Sequence, residues 1–167
     1  MSTITFQGNP IETIGSLPSV GSQAPDFTLT KGDLSDVSLA DFKGKWKILN
    51  IVPSLDTGVC AKSAKEFNDE VKNYSNLVVL NISRDLPFAA TRFCSAEGVD
   101  NIIPLSEMRD QSFGKTYGVT MTTGPLAGIH SRAVVVLDDQ DKVVYTEQVP
   151  EIAQEPNYVE ALKVVKK

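Results

Sequence analysis

Apolar positions along the chain follow two distinct patterns. Three short runs are almost wholly apolar, which is typical of strands buried on both faces of a sheet. They span Trp46–Pro53, Asn76–Ser83 and Ala133–Asp138. After the last run, the polar stretch 138–142 predicts a hairpin turn into a further strand, Val143–Val149.

Helical spacing appears between these strands. From about Thr57 to Tyr74, apolar residues recur at intervals of three and four, which predicts a helix with one buried stripe. Leu86–Glu97 shows similar spacing and is followed by Gly98, a residue favoured at helix C-termini. A last helix is predicted over Pro156–Lys167, where lysines suit the C-terminal end of the helix dipole.

Shorter elements complete the chain. Two β-rich stretches flank Gly8-Asn9-Pro10, so residues 1–20 are expected to form a β-hairpin extension. Short strands are predicted at Asp26–Thr30 and Asn101–Leu105. Short helical segments are predicted at Leu39–Phe42 and Ser112–Tyr117, and a long loop at Met121–Gly128.

The order of these elements predicts the architecture. Alternating strands and helices join strands in parallel, and the late hairpin adds an antiparallel pair. The order indicates an α/β fold, a thioredoxin-like sandwich with a central mixed sheet flanked by helices and the N-terminal hairpin as an extension. Because no repeat or linker interrupts the sequence, a single domain over residues 1–167 is expected.

Composition and charge narrow the class of protein. The 167 residues are 41% hydrophobic and 22% charged, which is typical of a folded globular domain. The net charge of −5 disfavours a nucleic-acid-binding protein. The sequence contains no apolar stretch of membrane-spanning length and its first residues do not resemble a signal peptide. We therefore expect a cytoplasmic protein without nucleic-acid or membrane partners.

The chain has two cysteines, Cys60 and Cys94, and one histidine, His130. Two cysteines cannot build a disulfide-rich secreted scaffold, and with His130 they lack the close spacing of a zinc site. A nucleophilic pair of Cys60 and His130 lacks an evident orienting residue, and an ordinary histidine at a strand end explains His130 better. In a reducing compartment, a bond between the two cysteines would be transient.

The strongest chemical signal lies where the first buried strand ends, in Pro53-Ser-Leu-Asp-Thr-Gly-Val-Cys60. Asp56 or Thr57 is suited to cap the following helix, which places Cys60 in its first turn. Unpaired backbone N–H groups at a helix start favour an anion such as a thiolate, although a nearby Asp56 carboxylate opposes this unless it points away or caps the helix. A structural core cysteine is the alternative, because Cys60 also continues an apolar stripe.

The spacing Pro53-x-x-x-Thr57-x-x-Cys60 matches the active-site motif of the peroxiredoxins, and the sequence resembles this family over nearly its whole length. Further segments are similar, in the right order, to those of the family and of its bacterial thiol peroxidase branch. They are Thr5–Pro10, Gly21–Leu29, Gly124–Arg132 and Ser131–Asp138. Gly58 departs from the pattern, since many peroxiredoxins carry proline at this position.

The resemblance implies a thiol-dependent peroxidase with no metal or organic cofactor. Cys60 corresponds to the peroxidatic cysteine, whose thiolate attacks a hydroperoxide and becomes a sulfenic acid. Thr57 corresponds to the threonine that hydrogen-bonds thiolate and peroxide, and Pro53 to the proline that shields the site from water. Arg132 corresponds to the arginine that stabilises the thiolate and the leaving oxygen. Without the resemblance, Arg132 would be taken for an ordinary arginine at a strand end.

The same resemblance assigns Cys94 as the resolving cysteine of an intrachain Cys60–Cys94 disulfide, recycled by thioredoxin or a similar dithiol. It also implies a homodimer, and alkyl or lipid hydroperoxides besides hydrogen peroxide as substrates. Met121, Leu126 and Ile129 are candidates for an apolar substrate wall. Because disulfide formation needs Cα atoms about 4.4–6.8 Å apart, we expect one or both helices to unwind during turnover.

Two rival hypotheses share this fold. One is a redox sensor or chaperone-like binding module without useful turnover, which a rate measurement with a thioredoxin system separates from an enzyme. The other is a dimer whose cysteines are structural, in which alkylation of Cys60 in the native protein would be slow and would leave function intact.

Overall fold

The computed structural model describes residues 2–166, which form nine strands, four α-helices and one 3₁₀ turn. The strands are β1 (Thr3–Phe6), β2 (Asn9–Glu12), β3 (Leu29–Lys31), β4 (Asp36–Val37), β5 (Trp46–Ile51), β6 (Leu77–Ser83), β7 (Ile103–Ser106), β8 (Ala133–Leu137) and β9 (Val143–Gln148). The helices are α1 (Gly58–Val71), α2 (Pro87–Glu97), α3 (Phe113–Thr116) and α4 (Tyr158–Lys163), and the 3₁₀ turn is Leu39–Phe42.

Seven strands form one mixed sheet in the order β4-β3-β7-β6-β5-β8-β9. Strands β5, β6 and β7 are parallel neighbours, whereas β8 runs antiparallel to β5 and pairs in turn with β9. Helix α1 connects β5 to β6 and α2 connects β6 to β7, as the alternation of strands and helices predicts. The mixed sheet and the separate β1–β2 hairpin are therefore confirmed.

The central strands are buried on both faces. Successive side chains of a strand point to opposite sides, so Leu49 and Ile51 pack in one core with Phe113 of α3, while Ile48 packs in the other core with Phe67 of α1. The second core also includes residues of α2 and α4. This double burial explains why the strands appear in the sequence as continuous apolar runs.

Several element boundaries differ from the sequence-based prediction. The hairpin turn was expected at Gly8-Asn9-Pro10, but it lies at Gln7 and Gly8, and Asn9 and Pro10 belong to β2. Both turn residues have positive φ (52° and 82°), which matches the twist of a two-residue hairpin. Pro10 is tolerated because Thr5, which lies opposite it, uses its own N–H and carbonyl for hydrogen bonds to Pro150 and Ile152, so the hairpin needs no N–H from Pro10.

The remaining differences concern the ends of elements. Strand β3 begins at Leu29 rather than Asp26, α1 ends at Val71 rather than Tyr74, and α4 is confined to Tyr158–Lys163. The expected helix end at Lys167 lies outside the described residues. Within residues 2–166, no helix is both long enough and apolar enough to cross a membrane.

Candidate active site

Cys60 lies in the first turn of α1, the helix that follows the central strand β5 in the sequence. Thr57 is the capping residue, with extended backbone (φ −121°, ψ 150°), and its carbonyl accepts the first helical hydrogen bond from Ala61 N at 2.9 Å. The backbone N–H of Cys60 is therefore among the donors that have no partner within the helix. These donors and the helix dipole favour negative charge at the start of α1.

Arg132 makes the decisive contact with the Cys60 sulfur. Its Nη1 donates a hydrogen bond to Cys60 Sγ at 3.1 Å, and its Nε donates to the Ile152 carbonyl at 2.8 Å. The two contacts fix the plane of the guanidinium group, which always carries its charge. Cys60 is fully buried and Arg132 is 2% exposed, so water does not screen the interaction.

A buried guanidinium needs a counter-charge, because an unpaired charge in a low-dielectric interior is strongly unfavourable. Among residues 2–166, no carboxylate lies within ion-pair distance of Arg132. Arg132 contributes, after a hydrogen bond from Tyr158, to the lowered pKa of Glu155, and its own hydrogen bond goes to the Cys60 sulfur. Arg132 therefore places a fixed positive charge directly against the sulfur that would react with a peroxide.

The N-terminal hairpin supports the segment that holds Arg132. Ile152 N donates to the Thr5 carbonyl at 3.0 Å, and the Glu151 carboxylate accepts from Gly8 N at 2.9 Å. Hydrogen bonds from the backbone N–H groups of Ala153 and Gly8 lower the pKa of Glu151. The hairpin thus helps to hold the Ile152 carbonyl in the position from which it orients the Arg132 guanidinium group.

Thr57 and Pro53 belong to the active-site loop, the stretch 52–57 that joins β5 to α1. The Thr57 hydroxyl donates its proton to the Ser54 carbonyl at 3.1 Å and not to the Cys60 sulfur, so the expected hydrogen bond from Thr57 to the sulfur is not formed in this conformation. The Thr57 side chain is exposed. Its oxygen can still accept a hydrogen bond, for example from the hydroxyl of a hydroperoxide. Pro53 is buried and has no backbone N–H to offer to water. Asp56 is exposed, and Thr57 occupies the N-cap position instead, although the Thr57 side chain makes no capping hydrogen bond to the helix.

Asp85 is a site residue that the sequence analysis did not identify. Its Oδ1 accepts from Ser54 Oγ at 2.7 Å, and its Oδ2 accepts from Leu55 N at 2.7 Å. The signal was present in the sequence, because Asp85 follows one predicted strand and Ser54 follows another. The carboxyl ends of neighbouring parallel strands meet at the same sheet edge, where functional groups commonly gather.

Cys94 lies on α2, and both cysteines carry free thiols. With Thr91 and Ser95 it lines a cavity of about 340 Å³ on the side of β7. A separate cavity of about 510 Å³ faces the active-site loop, and α2 contributes to it Ala89, Arg92, Phe93, Ala96 and Glu97. At about 100° per residue, these two sets lie on opposite faces of the helix. Burial raises the pKa of the Cys94 thiol.

The predicted substrate-wall residues lie together in a small apolar cluster beneath the N-terminal hairpin. Met121 is fully buried there against Ile4 and Ile11, whereas Leu126 and Ile129 are half-buried. In this conformation only Leu126 and Ile129 offer surface to a substrate. A contact to Met121 would require the hairpin to move.

His130 belongs to a different cluster from Cys60. Its Nε2 lies 3.6 Å from Glu107 Oε1, and its ring packs near Phe113. Burial, with a contribution from Arg84, lowers the pKa of His130 to about 3, so the ring is neutral. The sulfur of Cys60 is paired with Arg132 instead, so a Cys60–His130 catalytic pair is not formed. In the described part of the chain, no cluster of His, Cys, Asp and Glu is arranged to hold a metal ion.

Known proteins that are similar to the chain in sequence and in fold include thiol peroxidases and peroxiredoxins. Thiol peroxidases of Mycobacterium bovis and Mycobacterium tuberculosis are 56% identical to the chain over 162 residues, 97% of this chain and 97% of each relative. A peroxiredoxin-like protein from Aquifex aeolicus has a TM-score of 0.91 at 37% identity and covers 98% of this chain and 95% of its own. Thiol peroxidase from Chromobacterium violaceum has a TM-score of 0.90 at 25% identity, covering 97% and 94%.

The structural neighbours confirm the thioredoxin-like fold that the element order predicts. Residues 19–162 match the Redoxin family, and the relatives at 56% identity share nearly their full length with the chain. The active-site loop and the Cys60 helix fall inside the matched range. The chain therefore belongs to the Redoxin family and is an enzyme of its thiol peroxidase branch, within the peroxiredoxins.

Proposed function

We propose that this thiol peroxidase reduces hydrogen peroxide and organic hydroperoxides through a Cys60 sulfenic acid and an intrachain Cys60–Cys94 disulfide, which thioredoxin or a similar dithiol reopens. The observation that carries the proposal is the hydrogen bond from buried Arg132 to Cys60 Sγ at 3.1 Å. It pairs a fixed positive charge with the one nucleophile at the start of α1. A homodimer and a cytoplasmic location stay predictions.

In the first step, the Cys60 thiolate attacks the terminal oxygen of the hydroperoxide. The S–O bond forms as the O–O bond breaks, and the leaving oxygen takes a proton to depart as water or an alcohol. Arg132 is placed to stabilise charge as it moves from sulfur to the leaving oxygen. The Thr57 oxygen would accept a hydrogen bond from the peroxide hydroxyl.

In the second step, the Cys94 thiol condenses with the Cys60 sulfenic acid, which forms the disulfide and releases water. Cys94 faces away from the active-site loop, so α2 must unwind or turn before its sulfur reaches Cys60. Thiol–disulfide exchange with a reduced dithiol then restores both thiols and leaves the reductant oxidised.

The candidate substrate surface favours hydroperoxides with apolar groups. Leu126 and Ile129 present half-buried apolar side chains, and their cluster includes Ile152, whose carbonyl orients Arg132. An alkyl or lipid chain packed on these side chains would gain from burial of apolar surface. Hydrogen peroxide has no such group and gains nothing from this surface.

A coupled assay with thioredoxin, thioredoxin reductase and NADPH tests the proposed function on cumene hydroperoxide. Wild type should consume NADPH, and Cys60→Ser should be inactive. Cys94→Ser should still consume one equivalent of hydroperoxide per chain but should not turn over with thioredoxin. An inactive wild type with both thiols reduced would contradict the proposal and favour a redox sensor.

A further inference from the structure

Asp85 lies between the active-site loop, which leads into the Cys60 helix α1, and the start of α2, which carries Cys94. It is in the connection between β6 and α2, and Ser106 Oγ of β7 donates to its backbone carbonyl at 2.5 Å. Ser83 Oγ, at the end of β6, donates to its Oδ2 at 3.0 Å. The Asp85 carboxylate is therefore held in place by the rigid central sheet.

The same carboxylate holds the active-site loop. Ser54 Oγ and Leu55 N donate to its two oxygens, each at 2.7 Å. Ser54 in turn holds two further residues of the loop. Its hydroxyl accepts a hydrogen bond from Asp56 N at 3.1 Å, and its carbonyl accepts one from the Thr57 hydroxyl at 3.1 Å. The conformation of the loop up to the start of α1 thus depends on Asp85.

The space between the two segments allows them to move. A cavity of about 510 Å³ separates the active-site loop from α2, and Asp85 lies in its wall with Leu55 and Phe93. Because Cys94 lies on the opposite face of α2, disulfide formation requires the loop, the helix or both to leave these positions. The hydrogen bonds from Ser54 and Leu55 to Asp85 connect the loop to the start of α2, so they oppose this separation.

We propose that Asp85 is a positioning residue that holds Cys60 in its peroxide-reactive place and thereby delays its condensation with Cys94. This inference rests on the two-step function proposed above. Charge-assisted hydrogen bonds to a carboxylate are stronger than neutral ones, so Asp85 sets the balance between the two conformations. Strengthening the restraint favours the first step, and weakening it favours the second.

Asp85→Asn tests the proposal, since the amide is nearly isosteric but uncharged and keeps only one acceptor oxygen. In the Cys94→Ser background, oxidation of Cys60 by cumene hydroperoxide should slow about tenfold, the loss expected when a charge-assisted hydrogen bond is weakened. With Cys94 present, disulfide formation after oxidation should be about tenfold faster. Acid quenching, alkylation and mass spectrometry report the sulfenic, disulfide and sulfinic forms separately.

The yield of sulfinic acid provides a second readout. A second peroxide molecule oxidises the sulfenic acid before it condenses with Cys94, so faster condensation should lower the sulfinic fraction at high peroxide concentration. A general loss of stability would not produce opposite changes in the two rates. Equal slowing of both steps, or a higher sulfinic fraction in Asp85→Asn, would overturn the proposal.

Two further variants keep the test decisive. Ser54→Ala leaves Asp85 intact but removes one of its loop partners, so it should change both rates in the same directions and also serves if Asp85→Asn fails to fold. Asp26→Asn is the matched control, because Asp26 Oδ1 also joins chain segments by accepting from Phe27 N and Leu39 N at 2.8 and 3.2 Å. It should change neither rate. If wild type itself forms no sulfenic acid or disulfide, the proposed function fails rather than the role of Asp85.

Discussion

Arg132 Nη1 lies 3.1 Å from Cys60 Sγ, although the two residues are 72 positions apart in the chain. Antiparallel pairing of β8 with β5, in which Ile51 is opposite Ala133, carries Arg132 to the strand end from which the active-site loop leaves. A buried cation is thereby placed against a buried nucleophile. This contact leads to the first prediction.

Arg132→Met should slow oxidation of Cys60 by about 10²–10³-fold, the range found when one preorganised donor to a reacting centre is removed. Arg132→Lys should lie between this variant and wild type, because lysine keeps the charge but not the planar fork that binds both Ile152 and the sulfur. Rapid-quench measurement of the sulfenic acid, in the Cys94→Ser background, gives both rate constants. A near-wild-type rate in Arg132→Met would contradict the assigned role.

Formation of the Cys60–Cys94 disulfide should expose backbone amides at one or both of the helices that carry the cysteines. Hydrogen exchange should become faster over residues 57–64, over residues 90–97 or over both when the reduced protein is converted to the disulfide form, because at least one of the two segments must leave its helical hydrogen bonds. The central strands β5 and β6 serve as the internal control and should exchange at unchanged rates. Unchanged protection over both helical segments would mean that the disulfide forms without unwinding.

Polar replacement of the half-buried apolar side chains should affect large substrates selectively. Leu126→Ser and Ile129→Ser should raise the KM for cumene hydroperoxide more than the KM for hydrogen peroxide, because only the former loses apolar contact area. Steady-state kinetics with both substrates tests this. Met121→Ser is a poor probe, since Met121 is buried under the hairpin and its loss would destabilise the fold. Equal increases for the two peroxides would argue against an apolar substrate wall.

His130 should make the folded protein less stable in mild acid. Burial lowers the pKa of His130 from 6.5 to about 3, so the unfolded chain binds a proton below pH 6.5 that the folded chain does not. Stability is then greatest above this range and falls as the pH decreases toward 3. From about pH 7.5 to about pH 5.5, the loss attributable to His130 should be about 1.4 kcal/mol. Urea unfolding at both pH values measures it.

The comparison with His130→Leu isolates this contribution. Glu107 lies beside the ring, and burial raises the pKa of Glu107. Taken alone, Glu107 therefore makes the folded state more stable as the pH falls through this raised pKa. Arg84, which pairs with Glu107, stays charged throughout. Because Glu107 and Arg84 are present in both proteins, the difference between them reports His130. An identical pH dependence in the variant would show that His130 does not titrate in this way.

The ion pair of Lys47 and Asp141 should matter far more to stability than surface ion pairs. Lys47 Nζ lies 2.5 Å from Asp141 Oδ1, and the Lys47 side chain is fully buried. Asp141→Asn removes the counter-charge of Lys47 and leaves it only the hydrogen bond to the Lys45 carbonyl, so it should lower the free energy of unfolding by about 3 kcal/mol. Asparagine also tolerates the positive φ of 62° at this position, so the backbone is not perturbed.

Two controls accompany the Asp141 measurement. Glu97→Gln removes an exposed ion pair of similar length, 2.7 Å to Lys65, and should change stability by less than about 1 kcal/mol. The double variant Lys47→Met with Asp141→Asn should recover part of the lost stability, because the unpaired buried charge is gone. If urea unfolding shows that the double variant is no more stable than Asp141→Asn, the loss of stability does not come from the unpaired charge of Lys47.

Local sequence patterns predicted most of the secondary structure because they report burial directly. The continuous apolar runs are the strands with a core on each side, and the three-and-four spacing corresponds to α1 and its buried stripe. The cap at Thr57 and the position of Cys60 in the first turn also follow from short-range spacing. Element ends were less accurate, as at the Gln7–Gly8 turn, where the two-residue hairpin register decides the turn.

The sequence by itself therefore determined the element order and, through the spacing of its motifs, the family, and it predicts Cys60 as the reactive cysteine. Only the tertiary structure showed that Arg132 contacts Cys60 and that Asp85 holds the active-site loop. It also showed that Cys94 faces away from that loop and that the N-terminal hairpin covers Met121. The physical reason is that burial and capping depend on neighbours within a few residues, which the sequence displays. Contacts between segments depend on strand order, register and the rotation of helices, which no single segment contains.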